Sequence, residues 1–154
     1  MITLPFFKKK KHFFTESQEA QIIESVRTAE LRTSGEVRVF VESRCKYMDA
    51  IDRAVEIFFD LQMHRTADRN AVLVYVALKD RQLAVFGDEG IHTKVGTEFW
   101  NREVAAMIST FNRNDYASGI SNCIKDIGES LHQHFPYDEK TDKNELPDNI
   151  VFGK

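Results

Sequence analysis

Apolar and polar positions along this chain follow two periods, and each change of period marks an element. Thr15-Glu16-Ser17-Gln18 has the form of a capping box, with threonine at the cap and glutamine three residues on. Ile22, Ile23, Val26 and Ala29 then recur at helical spacing, which predicts a helix from about Glu16 to Leu31. Thr33-Ser34-Gly35 stops it. From Glu36 to Glu42 the period falls to two: Val37, Val39 and Val41 alternate with mostly polar neighbours, as in a strand with one more buried face. Asp49 opens a second helix, with Asp52 in its first turn, where the helix dipole favours negative charge. Its apolar stripe is Ile51, Ala54, Val55, Phe58 and Leu61.

A polar connection from His64 to Asn70 leads into Ala71 to Leu78, a continuous apolar run rich in β-branched residues. Such a run predicts a central strand covered on both faces. Strand, helix, strand in this order gives a parallel pair with a right-handed crossover. Lys79-Asp80-Arg81 is too short for another crossover, so Gln82 to Phe86 turns back antiparallel. Gly87 to Gly90 ends that strand, and Ile91 to Gly96 reads as a short helix or irregular turn. Two helices follow. The first presents Phe99, Trp100, Val104, Met107, Ile108 and Phe111. The second starts at the N-cap Asp115 and carries Ile120, Ile124, Ile127 and Leu131. The order is αβαββαα, a small mixed sheet packed by helices. Residues 1–12 read as a flexible basic arm, 13–136 as a single domain and 137–154 as an extended tail that Ile150-Val151-Phe152 could anchor.

This topology gathers three polar marks. Ser34-Gly35-Glu36 precedes the first strand, Asp68-Arg69-Asn70 precedes the second, and Gly87-Asp88-Glu89-Gly90 follows the third. With two strands parallel and the third reversed, all three marks fall at one edge of the sheet. The oxygen donors there are Glu36, Asp68, Asn70, Asp88 and Glu89, with Ser34, Gly35, Arg69, Gly87 and Gly90 as neighbours. Hard cations such as calcium take six to eight oxygen ligands of this kind, so the pattern suggests a divalent-cation cleft. No EF-hand loop pattern occurs, and turn chemistry alone accounts for each mark taken singly. Arg69 and Arg38 could instead neutralise the carboxylates in surface ion pairs.

Composition narrows the classes. A chain of 154 residues is one domain's length, and its net charge of −3 gives no general attraction to nucleic acid. No apolar run is long enough to span a membrane. The opening MITLPFFKKKKHFF places its charge after a short apolar stretch, the reverse of a secretory signal. Lys8, Lys9, Lys10 and Lys11 could touch an anionic membrane surface weakly. Cys45 and Cys123 lack metal or redox spacing, so reduced thiols in a cytoplasmic protein are expected.

The opposite edge is basic. Arg44, Lys46, Lys79 and Arg81 could hold an anion beyond the carboxyl ends of the parallel strands, although no glycine-rich phosphate loop is present. Cys45 between two cations reads as an inert thiol. His132 and His134 do not share a helix face, while His64 and His92 lie in connections that could approach the acidic edge. Hydrolase, zinc-protease and nucleotide-binding signatures are missing.

The ordered run of SGE, DRN, VALKDR and GDEGI resembles the TPM domain family, over roughly residues 13 to 153. That family includes a thylakoid lumen protein, a photosystem II repair protein and an auxiliary protein of nicotinic receptors, and this chain is most similar to its short soluble bacterial members. The resemblance implies a Rossmann-like three-layer α/β/α sandwich and a divalent cation, often calcium, at an acidic cleft. It carries Glu36, Asp68, Asn70 and Asp88 over as cleft residues with Arg69 beside them, and leaves Arg38 and Arg81 structural. Relatives commonly have glycine after the asparagine, where this chain has Ala71. A weak acid-phosphatase activity attributed to plant relatives gives the enzymatic alternative, a metal-assisted phosphatase on phosphomonoesters. With no nucleophile and base in evidence, the favoured expectation is a metal-responsive protein-interaction or accessory module with a protein partner not named by the sequence.

Overall fold

The computed structural model describes residues 13–138 and 150–153. The arm expected over residues 1–12, with its four lysines, and most of the expected tail lie outside the described residues. Helix α1 runs Glu16–Glu30, and both halves of its capping box form: Gln18 N–H donates to Thr15 Oγ1 at 3.1 Å, and Thr15 N–H donates to Gln18 Oε1 at 2.9 Å. Strand β1 is Glu36–Glu42, helix α2 is Ala50–Asp60, and a single 3₁₀ turn spans Met63–Arg65. Strands β2 (Ala71–Ala77) and β3 (Gln82–Gly87) form the hairpin. Helices α3 (Glu89–Phe111) and α4 (Tyr116–His134) follow, and a two-residue strand β4 (Val151–Phe152) closes the order.

The sheet order is β3-β2-β1-β4. β1 and β2 are parallel, β3 is antiparallel to β2, and β4 joins the free side of β1 in parallel. Every residue of β2 is buried, as a continuous apolar run at a sheet centre requires. On one face, Ala54, Ile57 and Phe58 of α2 pack on Leu73, Tyr75 and Ala84. On the other, α1, α3 and α4 bring Ile22, Met107, Ile120 and Ile124 against the valines of β1 and β2. The result is a three-layer α/β/α sandwich.

Three features differ from the sequence pattern. Ile51, assigned to the buried stripe of α2, is 45% exposed. The segment after Gly90 is neither a separate short helix nor a turn. It is the first part of α3, joined to the rest across a kink at Gly96, whose φ of 78° suits a residue without a Cβ. His92 therefore sits on a helix, not in a connection. The third is β4, which adds a fourth strand to the expected three.

Candidate functional site

The register places the three polar marks at one end of adjacent strands. Glu36 pairs with Ala71, and Val72 pairs with Gly87. Glu36 N–H donates to Asn70 C=O at 3.4 Å, and Asp88 N–H donates to Ala71 C=O at 2.9 Å. The loop before β2 is folded on itself: Asn70 N–H donates to Thr66 Oγ1 at 3.2 Å, and Arg69 adopts a left-handed φ of 51°. That conformation costs an L-residue of this kind on the order of 1 kcal/mol. It turns the Arg69 side chain towards the start of α3.

There Arg69 meets Asp88 in a bidentate pair, Nε to Oδ2 at 2.6 Å and Nη2 to Oδ1 at 2.8 Å, while Nη1 reaches Glu89 at 3.2 Å. Asp88 also caps α3, accepting from Glu89 N–H at 2.8 Å. The carboxylate of Asp88 is almost wholly buried, Arg69 is about two-fifths exposed and Glu89 is exposed, so Arg69 neutralises a buried and an exposed carboxylate from the surface. Hydrogen bonding to Asp88, and secondarily its charge, raises the Arg69 pKa above its ordinary value against the opposing cost of burial. Gly90 completes the joint. Its N–H donates to Arg69 C=O at 2.8 Å, and a Cβ there would lie 2.1 Å from the carbonyl oxygen of Asp68.

On the β1 side of β2, Asn70 Nδ2 donates to Ser34 Oγ at 3.2 Å. Asn70 is 1% exposed, and its Oδ1 has no hydrogen-bond partner among the described residues. Glu36 is buried, whereas the side chains of Asp68 and Glu89 face solvent. The proposed donors are thus divided between a buried set and an exposed rim. Among the described residues, no group of three or more His, Cys, Asp and Glu side chains is placed to hold a metal ion. Oxygen donors at this edge come from carboxylate, amide and backbone carbonyl together, the mixture hard cations accept.

The other residues singled out in the sequence sit as follows. Burial lowers the Arg38 pKa, and the charge of Glu30 opposes the shift. His92 Nδ1 accepts from Trp100 Nε1 at 3.0 Å, across the α3 kink. His64 packs on Phe59. At the basic edge, Asp80 takes both Arg44 Nη1, at 3.1 Å, and Cys45 N–H, at 2.7 Å, so the turn supplies its own anion. Cys45 and Cys123 are free and buried. Ala71 lies within β2 and has no positive φ, so the missing glycine removes no torsion this loop uses; Arg69 carries it instead.

A family model described as the TPM domain matches residues 7–130. The chain belongs to the TPM domain family. Among solved structures, the BA42 protein of the psychrophilic bacterium Bizionia argentinensis is 35% identical, with a TM-score of 0.84 over 94% of this chain and 99% of that one. The N-terminal domain of the cg2496 protein of Corynebacterium glutamicum is 15% identical, with a TM-score of 0.58 over 85% of this chain and 86% of that one; it shares the fold. A search of curated proteins finds no match. No helix among the described residues of this TPM domain is long and apolar enough to cross a membrane.

Proposed function

We propose that this TPM domain is a metal-responsive protein-interaction module whose acidic edge takes a divalent cation, with calcium the first candidate. The observation that carries the reading is Asn70 Oδ1, a buried amide oxygen with no hydrogen-bond partner among the described residues, on the residue next to Arg69 in the chain. A buried acceptor left without a donor is costly in a folded protein, and a cation is one way to satisfy it. Asp88 and Asn70 would hold the ion, with Asp68 and Glu89 reaching it from the exposed rim. Calcium supplies charge at that point, not a reacting group.

Arg69 gives the site its responsiveness. Its guanidinium already neutralises Asp88, so an arriving divalent ion competes with an internal cation. Release of Arg69 changes the charge and shape of the surface between β3 and α3, which a partner can read. Calcium titration followed by amide NMR tests this directly. Shifts confined to residues 34–36, 68–71 and 87–91 are expected. Unchanged spectra at millimolar calcium would remove the cation from the account. Turnover of an aryl phosphate that disappears in both Asp68→Asn and Asp88→Asn would replace the module reading with the phosphatase one.

A further inference from the structure

Among the described residues, β3 is an edge of the sheet. The bond from Asp88 N–H to Ala71 C=O sets the phase of its ladder. With the register Leu73–Phe86, Tyr75–Ala84 and Ala77–Gln82, the residues exchanging hydrogen bonds with β2 are Gln82, Ala84 and Phe86. Leu83, Val85 and Gly87 therefore aim their N–H and C=O groups away from the sheet; Leu83 is half-buried, while Val85 and Gly87 are buried, with Trp100 packed over Gly87, so a strand would reach them only by entering between the flanking helices. No other described residue takes up those groups. An edge of this kind is a template for another strand unless something blunts it. β3 carries no proline and no charged residue.

The edge does not face open solvent. It forms the floor of a groove of about 770 Å³ between α2 and α3. Ile51 and Phe59 of α2, 45% and 46% exposed, form one wall. Trp100 and Val104, one turn apart on α3, form the other. Six residues of β3 span about 20 Å, room for a strand of similar length. The lining carries the carboxylates of Asp49, Asp88 and Glu89 against one guanidinium, Arg69, which is already committed to two of them.

We propose that this groove takes an extended peptide bearing lysine or arginine beside β-branched apolar residues, bound as an added strand on β3. Backbone pairing supplies affinity, and the apolar walls and acidic rim supply selectivity. A second copy of this domain is the poorer occupant, because β3 against β3 would bring two sets of the same carboxylates together. The proposal rests on the reading of the domain as an interaction module, and it names the surface and the class of partner. It does not require a cation.

The test uses the full chain in EDTA with a capped peptide of about nine residues alternating lysine and valine, and its glutamate–valine counterpart. The lysine peptide is expected to slow amide exchange at Leu83, Val85 and Gly87, and to bind at least about tenfold more tightly than the glutamate peptide. Leu83→Pro removes an outward donor without touching the β2 ladder and is expected to abolish binding. Ile51→Lys changes only an exposed wall residue and is expected to weaken binding, which keeps the test decisive should the proline variant unfold. Equal binding of both peptides, or shifts that avoid β3, overturns the proposal. Calcium is added only afterwards, so a missing calcium response counts against the cation and not against the groove.

Discussion

Arg69 and Asp88 hold each other in a two-point fork although they come from different loops, one before β2 and one before α3. The fork ties the start of the longest helix to the central strand. It also makes Arg69 a built-in competitor for any cation at Asp88. Arg69→Ala should therefore strengthen calcium binding, by about tenfold if the competition is an ordinary coupling between two ligands of one site. Asp88→Asn keeps an N-cap of similar quality but removes the charge, and should weaken calcium binding below detection. Isothermal titration of the two variants decides the point. Parallel changes in both would mean that Arg69 assists binding and does not compete.

A second buried carboxylate has a structural role. Glu42 ends β1 at 5% exposure and accepts from Tyr75 Oη at 2.5 Å and from Arg53 Nε and Nη2 at 2.9 and 3.0 Å. Hydrogen bonding to Glu42 raises the Arg53 pKa, and burial followed by the same carboxylate raises that of Tyr75. Removing the acid leaves the buried Tyr75 hydroxyl and two Arg53 donors without their acceptor, while Arg53 keeps its pair with Glu56. Glu42→Ala should cost about 3 kcal/mol in denaturant unfolding, and Tyr75→Phe about 1–2 kcal/mol. The double variant should cost less than the sum, because both lose one network.

Those two networks also show what the sequence could disclose. The alternation Val37, Val39, Val41 and the unbroken apolar run from Ala71 carry the parallel βαβ unit in their periods, and Thr15 with Gln18 carries the start of α1. Each is a local signal. β4 is not, because Val151 and Phe152 are too few to show a period and their place beside Phe40 and Val41 depends on a contact more than 100 residues away in sequence. The same applies inside the site. Strand order brings the polar marks to a common edge, but it does not reveal that Asp88 turns inward while Asp68 turns out, nor that Arg69 takes the positive φ. Side-chain direction in a loop has no period to read. Glu103 is hidden for a related reason: it is one charged letter on a helix face whose other letters, Phe99, Trp100, Val104, Met107, Ile108 and Phe111, are apolar.

Gly90 tests the geometry of the joint without altering a charge. An added Cβ would lie 2.1 and 2.6 Å from the carbonyl oxygens of Asp68 and Arg69. Backbone atoms cannot give way as a flexible side chain does. Gly90→Ala should therefore push α3 off the loop and lose the bond from its N–H to Arg69 C=O, at a cost of about 1–3 kcal/mol. Faster amide exchange confined to residues 69–71 and 88–92 is the expected signature. A variant with unchanged exchange there would show that the loop adjusts freely.

Glu103 is expected to give the domain a dependence on pH near neutrality. It lies buried on α3 at 7% exposure, facing Asp126 and the Cys123 thiol of α4, with Arg102 alongside. Lys94, Glu129, His132 and His134 line the same groove. Burial, then the charge and hydrogen bonding of Asp126, push the Glu103 carboxyl up to about 7 from an ordinary 4.5. The folded state then binds more protons than the unfolded chain between those two values. Stability should fall as pH rises through that window and level off above it. Glu103→Gln keeps the hydrogen-bonding capacity and discards the charge. It should match the parent below about pH 5 and exceed it by about 1–3 kcal/mol at pH 8. Asp126→Asn should bring the Glu103 side-chain titration, followed by carbon-detected NMR, back towards the ordinary carboxylate range. A stability difference between Glu103→Gln and the parent that stays constant from pH 5 to 8 would show that the fold does not hold this proton.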